Sequence, residues 1–571
     1  MSADPTPSAT SSVKGPTVLF ISSNGTGMGH LTRLMAMARR RAPGTRAVFA
    51  SLSQAVPVVA AEGFDWEYLP SREVLGIGAR RWNLHMAHRV AEILDRERPD
   101  VVVFDGTYPY DALLTAARAR PSVRLVWSRR GMWRQRASGS QLALSRHFDL
   151  IIEPGELAAE EDRGATVGRT DAYRVAPITL LSEDDLLPRE EAAHALGLAP
   201  DRPAVLVSLG AGNLRDHGAD LDVILDRLAE EPDLQIVVTR AAISERLAPV
   251  SDRVHAVSVY PVSRYLRAID FAVAAVGYNS FHEFVGFAVP TLFVPNPAMP
   301  LDDQPARSRW AQRAGAAVDV PDVTVEAVDA AVTLLADPAR REALARTCRA
   351  ASRGNGAGAA MAAIEELAAG RAPVTGADGS PAPVPAPGPA AGARIRFGAR
   401  RLVGRAVDRI VRIAPVSPPG LRVGPARRTG PEPEEPVLVQ LVGVGGDAFA
   451  ARVADLAALL DRTSGLGVVL LTDTPDFGPA RRAGLPVEHV ISPQDWARRY
   501  PDRPWAGHLE LRLRQVRDLY RARHVVDAAA HPDDLPVAVL RAAPTVGPLA
   551  PLVRPVRALL RRLDPPTPVR P

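Results

Sequence analysis

Short apolar runs, separated by longer stretches of mixed character, dominate the first part of the chain. Runs with the length of buried strands occupy residues 17–22, 47–51, 101–105, 123–127 and 148–152. Helices are predicted in the stretches between them, over 30–41, 53–62, 82–97, 109–119 and 138–146. Strands that alternate with helices in this way are typical of an α/β fold built on a parallel sheet.

The same alternation starts again near residue 202. The predicted strands of this second set are 204–208, 235–239, 254–257, 271–276 and 291–294. A helix is predicted over 219–230, and helices are predicted to dominate residues 324–370. Two α/β halves in tandem create a cleft between domains, which is a favoured place for ligands.

A third α/β segment begins at Pro436. Its pattern predicts a strand over 437–442, a glycine turn over 443–447, a helix over 448–460 and a strand over 467–471. Aspartates follow the predicted strands at positions 447, 473 and 476. Ligands bind at such strand ends, but Asp is also a common helix cap, so this pattern assigns no chemistry to the segment.

Two segments of biased composition divide the chain. Residues 1–16 are rich in Ser, Thr, Pro and Ala and are predicted to be a disordered tail, while 371–393 consist mainly of Pro, Ala and Gly and are predicted to be a linker. The predicted domains are therefore 17–180, 181–370 and 436–571, with 371–435 as the connecting segment.

The connecting segment contains a basic amphipathic stretch at 394–413, in which arginines alternate with apolar residues. A helix of this kind can lie on an anionic membrane surface. The alternative, which we favour, is an Arg-rich helix that is solvated on one side and docked on a neighbouring domain on the other. Peripheral membrane contact through 394–413 stays open as a second interpretation.

Composition limits the classes of protein to consider. At 571 residues the chain is too long for a single core, so a few domains are expected. Cys348 is the only cysteine, which excludes an internal disulfide framework and a cysteine-rich metal site. No apolar run approaches the ~20 residues of a membrane span, and no signal peptide is evident, so a cytoplasmic location is expected. The net charge of +5 is modest and no nucleic-acid-binding signature is present, so nucleic acid is not an expected partner.

The most informative segment is the turn Ser23–His30, which contains three glycines between a predicted strand and a predicted helix. Such a turn lets the backbone approach a ligand and points helix N–H groups at it. It lacks the G-x-G-x-x-G spacing of a dinucleotide site, and strand 47–51 carries no acid at its end. His30 places an imidazole at the crevice where doubly wound sheets bind ligands. A tight connection without a ligand is the alternative.

A second informative segment, 276–284, follows a buried strand and opens a helix. Ser280 and Glu283 have the S-x-x-E spacing of a capping box, which would satisfy helix N–H groups without any ligand. The same geometry also suits a nucleoside diphosphate, because a helix N-terminus favours the diphosphate and a carboxylate can accept hydrogen bonds from ribose hydroxyls. The glycine turn at 208–213 would likewise suit phosphate oxygens.

Taken together, these segments resemble a known family. Residues 271–317 resemble the C-terminal domain of GT-B glycosyltransferases, most closely glycosyltransferase family 28, the group of the peptidoglycan lipid-intermediate N-acetylglucosaminyltransferase. The turn ending at His30 resembles that family's N-terminal G-x-G-G-H loop, and the resemblance covers about residues 17–370. It implies a GT-B architecture with two Rossmann-like domains facing a cleft, followed by the linker and a third small α/β domain.

The resemblance also implies a donor site. Glu283 matches the family's ribose-binding glutamate, and the loop 260–266 matches the one that frames the base. Gln304 and Asp303 match polar residues that contact the donor sugar. The remaining matches lie near the donor phosphates and comprise Gly27, Gly29, Gly210, Gly212, Asn213, Gly277, Asn279 and Ser280.

On the acceptor side, His30 matches the histidine near the acceptor hydroxyl, where it would act as a general base. A histidine that only orients loops or phosphates is the alternative. Candidate acceptor contacts lie at strand ends of the N-terminal domain: Asp105, Arg129 and Arg130, of which the two arginines could hold a phosphate or carboxylate. An ordinary surface turn would explain them equally well. The family uses no metal in catalysis, so neither a metal nor a cofactor is expected.

The expected function is transfer of a sugar from a nucleoside diphosphate donor, a UDP-sugar, to a hydroxyl acceptor with inversion. The chain departs from the family pattern at Met28, which stands between two glycines, and at 208–210, which lacks the usual glycine pair followed by serine. The nucleobase of the donor and the identity of the acceptor are therefore not assigned. The alternatives are a nucleotide-sugar 2-epimerase of the same fold and a non-catalytic nucleotide-sugar sensor with the third segment as its output module.

Overall fold

Three parallel β-sheets with helices around them make up the described part of the chain. The computed structural model describes residues 15–23, 28–210, 218–239, 254–371, 436–463 and 465–543. The tail 1–14, most of the predicted linker and the basic stretch 394–413 lie outside these residues, as do Gly27, Gly212 and Asn213. No helix among the described residues has the length and apolar character that a membrane crossing requires.

The first sheet has seven strands in the order β3-β2-β1-β4-β5-β6-β7. Its strands are β1 (Thr17–Ser22), β2 (Arg46–Ser51), β3 (Asp65–Tyr68), β4 (Val101–Asp105), β5 (Arg124–Ser128), β6 (Leu150–Pro154) and β7 (Tyr173–Val175). The helices of this domain are α1 (Gly29–Arg39), α2 (Arg72–Leu75), α3 (Ala79–Glu97) and α4 (Asp111–Arg118). Strands β1 and β4 are completely buried, as expected for central parallel strands that are covered on both faces.

The second sheet repeats this arrangement, in the order β10-β9-β8-β11-β12-β13. Its strands are β8 (Ala204–Ser208), β9 (Gln235–Thr239), β10 (Val254–Val257), β11 (Phe271–Ala275), β12 (Thr291–Val294) and β13 (Val318–Asp319). The helices are α5 (Arg189–Leu196), α6 (Gly218–Ala229), α7 (Tyr278–Gly286), α8 (Gln304–Ala314), α9 (Val325–Ala336), α10 (Pro338–Ala351) and α11 (Ala357–Ala368). Both sheets thus follow the 3-2-1-4-5-6 strand order of Rossmann folds, which confirms the predicted fold class.

The third sheet is smaller, with the order β16-β15-β14-β17. Its strands are β14 (Val437–Leu441), β15 (Val468–Thr472), β16 (Val487–His489) and β17 (Val525–Asp527). The helices are α12 (Gly446–Arg462), α13 (Gly478–Arg482), α14 (Pro493–Arg499), α15 (Trp505–Tyr520) and α16 (Leu535–Ala542). Asp473 and Asp476 accept hydrogen bonds from the amides of Gly443 and Gly478, at 2.9 Å each, so both carboxylates stabilise turns.

The chain crosses between the first two domains twice. After β7 it passes through residues 176–182 into the second domain, and after α10 it returns so that α11 packs on α1 of the first domain. Asn355 joins the two crossings, because its side-chain amide donates to the carbonyl of Thr179 at 2.9 Å and to that of Leu181 at 3.2 Å. Helix α11 therefore completes the first domain, although it lies within the range 181–370 predicted for the second.

The third domain docks on the first domain beside its edge strand β3. The indole of Trp66 stacks on the imidazole of His489, with 4.7 Å between the ring centroids. The rings of Tyr68 and Phe477 also pack together, with 4.8 Å between their centroids. Around these rings lies a set of buried charged and polar groups from both domains, which includes Arg89, Arg96, Glu488, Arg512 and the histidines at 85, 489 and 508. The partly buried Glu92 pairs with Arg89 and Arg96 of this set. The third domain is thus packed against the first.

Some predicted elements differ in kind. Residues 53–62 and 138–146, predicted as α-helices, form shorter 3₁₀ segments at Val56–Glu62 and Ser140–His147. The first contains Pro57, which has no N–H to donate, and stops at Gly63 with a φ of 75°. The region 324–370 is helical as predicted and is divided into α9, α10 and α11.

Candidate active site

The carboxyl ends of the central strands of the first sheet place Asp105 beside the turn that carries His30. In register, Ser22 of β1 pairs with Asp105 of β4, which pairs with Ser128 of β5. The amide of Ser23 donates to the carbonyl of Asp105 at 3.0 Å, which holds the start of the turn against β4. Helix α1 begins at Gly29 without a side-chain cap, so its N-terminal N–H groups face the same edge.

His30 forms a short contact with Asp105. Its Nδ1 lies 2.6 Å from Oδ1 of the carboxylate, which also accepts from Ser128 Oγ at 2.7 Å through Oδ2. Arg33, one turn further along α1, donates to both carboxylate oxygens, with Nε 3.0 Å from Oδ2 and a terminal nitrogen 2.6 Å from Oδ1. Burial alone raises the pKa of Asp105, but the Arg33 charge and the His30 hydrogen bond outweigh it and lower that pKa to about 2.

The ionised carboxylate fixes the tautomer of His30. Because the ionised Asp105 can only accept, we infer that Nδ1 of His30 carries the proton and donates it, which leaves Nε2 as the basic nitrogen. The terminal nitrogen of Arg33 that lies 2.9 Å from Nδ1 then donates to Asp105 and not to His30. Burial lowers the pKa of His30 below its usual value. The charges of Arg33 and Arg130 lower it further, and Asp105, which raises it, does not compensate for these effects. The site therefore holds a neutral, oriented imidazole, which can accept a proton.

Helix α7 of the second domain faces this histidine. The amide nitrogen of Asn279 lies 3.4 Å from the carbonyl of Gly29, and its oxygen lies 3.5 Å from Arg33. The helix begins at Tyr278 with Gly277 as its cap residue and no side-chain cap, so Ser280 lies inside the helix and the predicted capping box is not formed. The alternative that explained Ser280 and Glu283 by helix capping alone is thus not supported.

Glu283 lies further along the same helix and is half-buried. Burial raises the pKa of its carboxyl to about 7. Tyr260 lies close by, since the charge of Glu283 contributes to raising the pKa of Tyr260 after burial. The hydroxyl of Tyr260 in turn lies 2.9 Å from Oγ1 of Thr32 on α1, so this region also joins the two domains.

The loop 297–304 of the second domain is bonded to the first domain through its backbone. The amide of Asp303 donates to the carbonyl of Met132 at 3.0 Å, and the amide of Arg134 donates to that of Leu301 at 2.7 Å. Asp302 forms an antiparallel bridge with Trp133, and its carboxylate lies 2.5 Å from Arg130. Arg130 thus lies at the junction of the two domains and acts on the pKa of His30.

The predicted donor-sugar residues have clear partners within this loop. Asp303 caps α8 by accepting from the amide of Ala306 at 3.2 Å. The side-chain oxygen of Gln304 accepts from the amide of Asn296 at 3.0 Å, and its nitrogen lies 3.4 Å from Asp302. Both side chains therefore shape the loop, and their predicted contact with a donor sugar stays a prediction.

A buried ion pair also joins the two domains at this junction. Arg307 of α8 donates to Glu156 of the first domain at 2.8 and 3.0 Å and to the carbonyl of Val276 at 2.9 Å. Burial acts to raise the pKa of Glu156, but the charges of Arg307 and His282 outweigh it and lower that pKa well below its usual range. The sequence did not lead to this pair, nor to Arg33 and Asp302, because their partners lie far away along the chain.

Two of the predicted acceptor residues are buried and paired. Asp105 is fully buried, and its oxygens are taken by His30, Arg33 and Ser128. Arg129 is 1% exposed and pairs with Glu153 at 3.1 Å and Asp171 at 3.4 Å. Because a direct acceptor contact would have to break these pairs, the geometry gives Asp105 a role at His30 instead. Arg130 is paired as well, with Asp302 at 2.5 Å, and the predicted acceptor contacts of the two arginines stay predictions.

The predicted donor glycines that the structure describes leave open space. A Cβ at Gly277 would meet nothing within 4 Å, and one at Gly29 would approach Arg33 and Asn279 only at 3.8 and 3.9 Å. Gly210, at the end of the β8 turn, has a φ of +87°, a backbone conformation that favours glycine. Among the described residues, no group of three or more His, Cys, Asp or Glu side chains could hold a metal ion.

Comparison with known proteins gives similarity at the level of structure alone. No protein-family model and no curated protein matches the sequence. Spinosyn forosaminyltransferase is similar over 62% of this chain and 99% of its own, with 17% identity and a TM-score of 0.46. The Acinetobacter baumannii protein MurG is similar over 61% and 99%, with 16% identity and a TM-score of 0.41.

A putative UDP-N-acetylglucosamine 2-epimerase from Listeria monocytogenes is also similar, over 62% of this chain and 96% of its own, with 14% identity and a TM-score of 0.44. At these values the likeness assigns neither a substrate nor a residue role to this chain. Its own strand orders and its interdomain site define an α/β protein with two Rossmann-like domains in contact, the GT-B architecture, and an added third domain.

Proposed function

We propose that this chain is a glycosyltransferase that moves a sugar from a nucleoside diphosphate, a UDP-sugar, to a hydroxyl acceptor with inversion. The observation that carries the proposal is the His30–Asp105–Arg33 group, which lies at the carboxyl edge of one Rossmann-like sheet and directly opposite the start of α7 in the other domain. Ligands of open α/β sheets bind at this edge, and a neutral histidine there suits proton abstraction.

In the proposed reaction, Nε2 of His30 accepts the proton of the acceptor hydroxyl as the hydroxyl oxygen attacks the anomeric carbon of the donor. The bond from that carbon to the diphosphate breaks on the opposite face, and the nucleoside diphosphate leaves with the electron pair. Asp105 holds the imidazole through Nδ1 and stabilises the imidazolium that forms. One displacement of this kind inverts the configuration at the anomeric carbon.

The donor would lie between α1 and α7. The uncapped N-terminus of α1 and the start of α7 at Gly277 offer N–H groups to the diphosphate, and the open space at Gly29 and Gly277 admits a close approach. Glu283 would accept hydrogen bonds from the ribose hydroxyls once it is ionised. Arg130 would meet negative charge on the substrates. No metal is required in this scheme, so a chelator should leave turnover unchanged.

The test begins with a calorimetric screen of nucleotide sugars and bare nucleotides against the full chain. A nucleoside diphosphate should bind, and binding should be lost in Glu283→Ala. In the same screen His30→Ala should retain donor binding. Its rate of transfer, measured with donor and acceptor present, should fall by about 100- to 10,000-fold, the usual contribution of a general base. Transfer that survives His30→Ala nearly unaltered would exclude the base role.

Product analysis without an acceptor separates the alternatives. An isomerised nucleotide sugar would identify a 2-epimerase, and tight donor binding without any product, with or without acceptors, would identify a sensor. Release of the nucleoside diphosphate that depends on an added hydroxyl acceptor supports the transferase. Absence of nucleotide binding would contradict all three.

A further inference from the structure

Arg33 is the one described side chain that contacts His30, Asp105 and the second domain together. It is 3% exposed and lies on α1, one turn after His30. Its guanidinium donates to both oxygens of Asp105, lies 2.9 Å from Nδ1 of His30 and reaches Asn279 at 3.5 Å. The ring of Tyr278 lies beneath the same guanidinium, 5.3 Å from its carbon to the ring centroid.

The paired contact with Asp105 fixes the plane of the carboxylate. A guanidinium that donates through two nitrogens constrains both the position and the orientation of its partner, whereas an ammonium acts as a point charge. Because Nδ1 of His30 donates to the same oxygen that a terminal nitrogen of Arg33 contacts, the guanidinium also limits how the imidazole can rotate. The aim of Nε2 therefore depends on Arg33 as well as on Asp105.

The far side of Arg33 is covered by the second domain. Asn279 and Tyr278 both belong to the first turn of α7, and Asn279 also bonds to the carbonyl of Gly29 beside His30. If α7 were to move away from α1, this side of the guanidinium would be open to water, which would compete for its donors. In the described arrangement α7 covers this side, so the hydrogen bonds of Arg33 to Asp105 are shielded from that competition.

We infer that Arg33 is a positioning residue that couples the approach of the second domain to the orientation of His30. The inference rests on the proposed function. It adds that His30 is oriented as the general base only when α7 is in place. A base that is oriented only in the closed arrangement limits wasteful hydrolysis of the donor, because water reaches the open cleft before closure.

The charges that face His30 come from three elements. They are Arg33 on α1, Asp105 on β4 and Arg130 after β5. Arg33 itself faces Asp105, Tyr278 and Asp302. Replacing Arg33 by a neutral residue removes one of the two cations that oppose protonation of His30 and leaves the anion that favours it. The pKa of His30 should therefore rise in Arg33→Gln and stay nearly unchanged in Arg33→Lys.

The experiment compares pH profiles of transfer in Arg33→Gln, Arg33→Lys and Asn279→Ala. Arg39→Gln is the matched control, because Arg39 lies on the same helix and pairs with Glu62 and Asp185 away from His30. In Arg33→Gln we expect kcat to fall about 10- to 100-fold, as for a small misplacement of a catalytic group, with the acid limb moved to higher pH. In Arg33→Lys we expect the same fall in kcat, but with the acid limb of the pH profile unchanged. Nucleotide affinity should change by less than about threefold in both variants.

The coupling itself is measured by a double-mutant cycle. If Arg33 acts with α7, Asn279→Ala should lower kcat in the wild type and have almost no further effect in Arg33→Lys. Additive losses, or an acid limb in Arg33→Gln that matches the wild type and Arg39→Gln, would overturn the inference. Because Arg33→Lys keeps the charge of the buried pair, it carries the test if Arg33→Gln does not fold.

A second readout separates this inference from the proposed function. The titration of His30 can be followed by NMR in the full chain without any substrate, and Arg33→Gln should raise its midpoint. If His30→Ala retains full transfer, the proposed base role fails whatever the arginine variants show. If His30→Ala abolishes transfer but both the midpoint and kcat ignore Arg33, only the positioning role fails.

Discussion

Oδ1 of Asp105 lies 2.6 Å from Nδ1 of His30, although 75 residues separate the two in the chain. The contact exists because β4 lies beside β1 in the sheet, and it decides which nitrogen of the imidazole is basic. An amide at position 105 can offer an N–H to Nδ1 and so favour the wrong tautomer. We therefore expect Asp105→Asn to lower kcat by about 100- to 10,000-fold with nucleotide affinity retained.

The matched control for that substitution is Ser128→Ala, which removes one donor from the other oxygen of Asp105. It leaves the His30 contact in place, so only a few-fold loss of kcat is expected. Equal losses in Asp105→Asn and Ser128→Ala would mean that the carboxylate acts through general packing. Steady-state kinetics and calorimetry on both variants decide between these outcomes.

Nucleotide binding should depend on pH through Glu283. Burial raises its pKa to about 7, and ribose hydroxyls are better held by the ionised carboxylate. We expect affinity for a nucleoside diphosphate to weaken below about pH 7, with proton release on binding near that pH. Calorimetry in two buffers of different ionisation enthalpy measures the release. In Glu283→Gln both the proton release and the pH dependence attributed to this carboxyl should disappear.

The raised pKa of Glu283 also makes the stability of the folded chain depend on pH. An acid whose folded pKa is raised loses stabilising free energy as pH rises from its unfolded value to its folded value. Glu283→Gln should therefore raise the melting temperature at pH 8 relative to the wild type and have less effect at pH 4.5. A lower melting temperature at pH 8 would mean that the hydrogen bonds of this carboxylate to Ser263 and to the backbone of Leu180 outweigh the cost of its burial.

Gly356 and Gly358 provide a matched pair at the return crossing. A Cβ at Gly356 would lie 2.1 Å from the carbonyl oxygen of Ala176, whereas one at Gly358 would meet only the flexible side chain of Arg40 at 3.9 Å. Gly356→Ala should lower the free energy of unfolding by more than about 2 kcal/mol because backbone must move. Gly358→Ala lies within α11 and should raise it by up to about 1 kcal/mol. Denaturant titration of the two variants checks the expected opposite signs.

Acid should loosen the docking of the third domain. Burial, aided by the charges of Arg512 and Arg499, lowers the pKa of His489 to about 3, so the folded chain keeps this imidazole neutral. An unfolded histidine binds a proton below about pH 6.5, so stability falls as pH drops from that value towards 3, by about 1.4 kcal/mol per pH unit for one group. His489→Phe keeps a ring against Trp66 and should weaken the acid dependence. An acid transition identical to that of the wild type would exclude His489 as its source.

The elements that the sequence predicts best are the central buried strands. The predicted strands 17–22, 101–105 and 204–208 coincide with β1, β4 and β8, because continuous apolar runs mark strands that are covered on both faces. The strands β3, β7, β13, β16 and β17 were not predicted. They have two to four residues each, and β3 alternates polar with aromatic residues, so none of them contains an apolar run long enough to indicate a strand.

The candidate site was predicted in part. Glycine spacing and the helix start are local signals that singled out His30 and the segment 277–283, and the structure brings Asn279 of that segment to the carbonyl of Gly29 beside His30. The partner of His30 depends on strand order, which no local pattern encodes, and Asp105 was therefore predicted as an acceptor contact. Arg33 could have been noticed, because a residue three positions after His30 lies on the same face of a helix.

The two crossings between the first two domains form two straps that are bonded to each other. Because Asn355 ties the return strap to the outgoing one, rotation about either strap alone would have to break its hydrogen bonds to the carbonyls of Thr179 and Leu181. A single cut in either strap would leave the domains joined by the other. If the contacts at the domain junction were broken, the two domains would remain tethered within one molecule, so their reassociation would not depend on protein concentration.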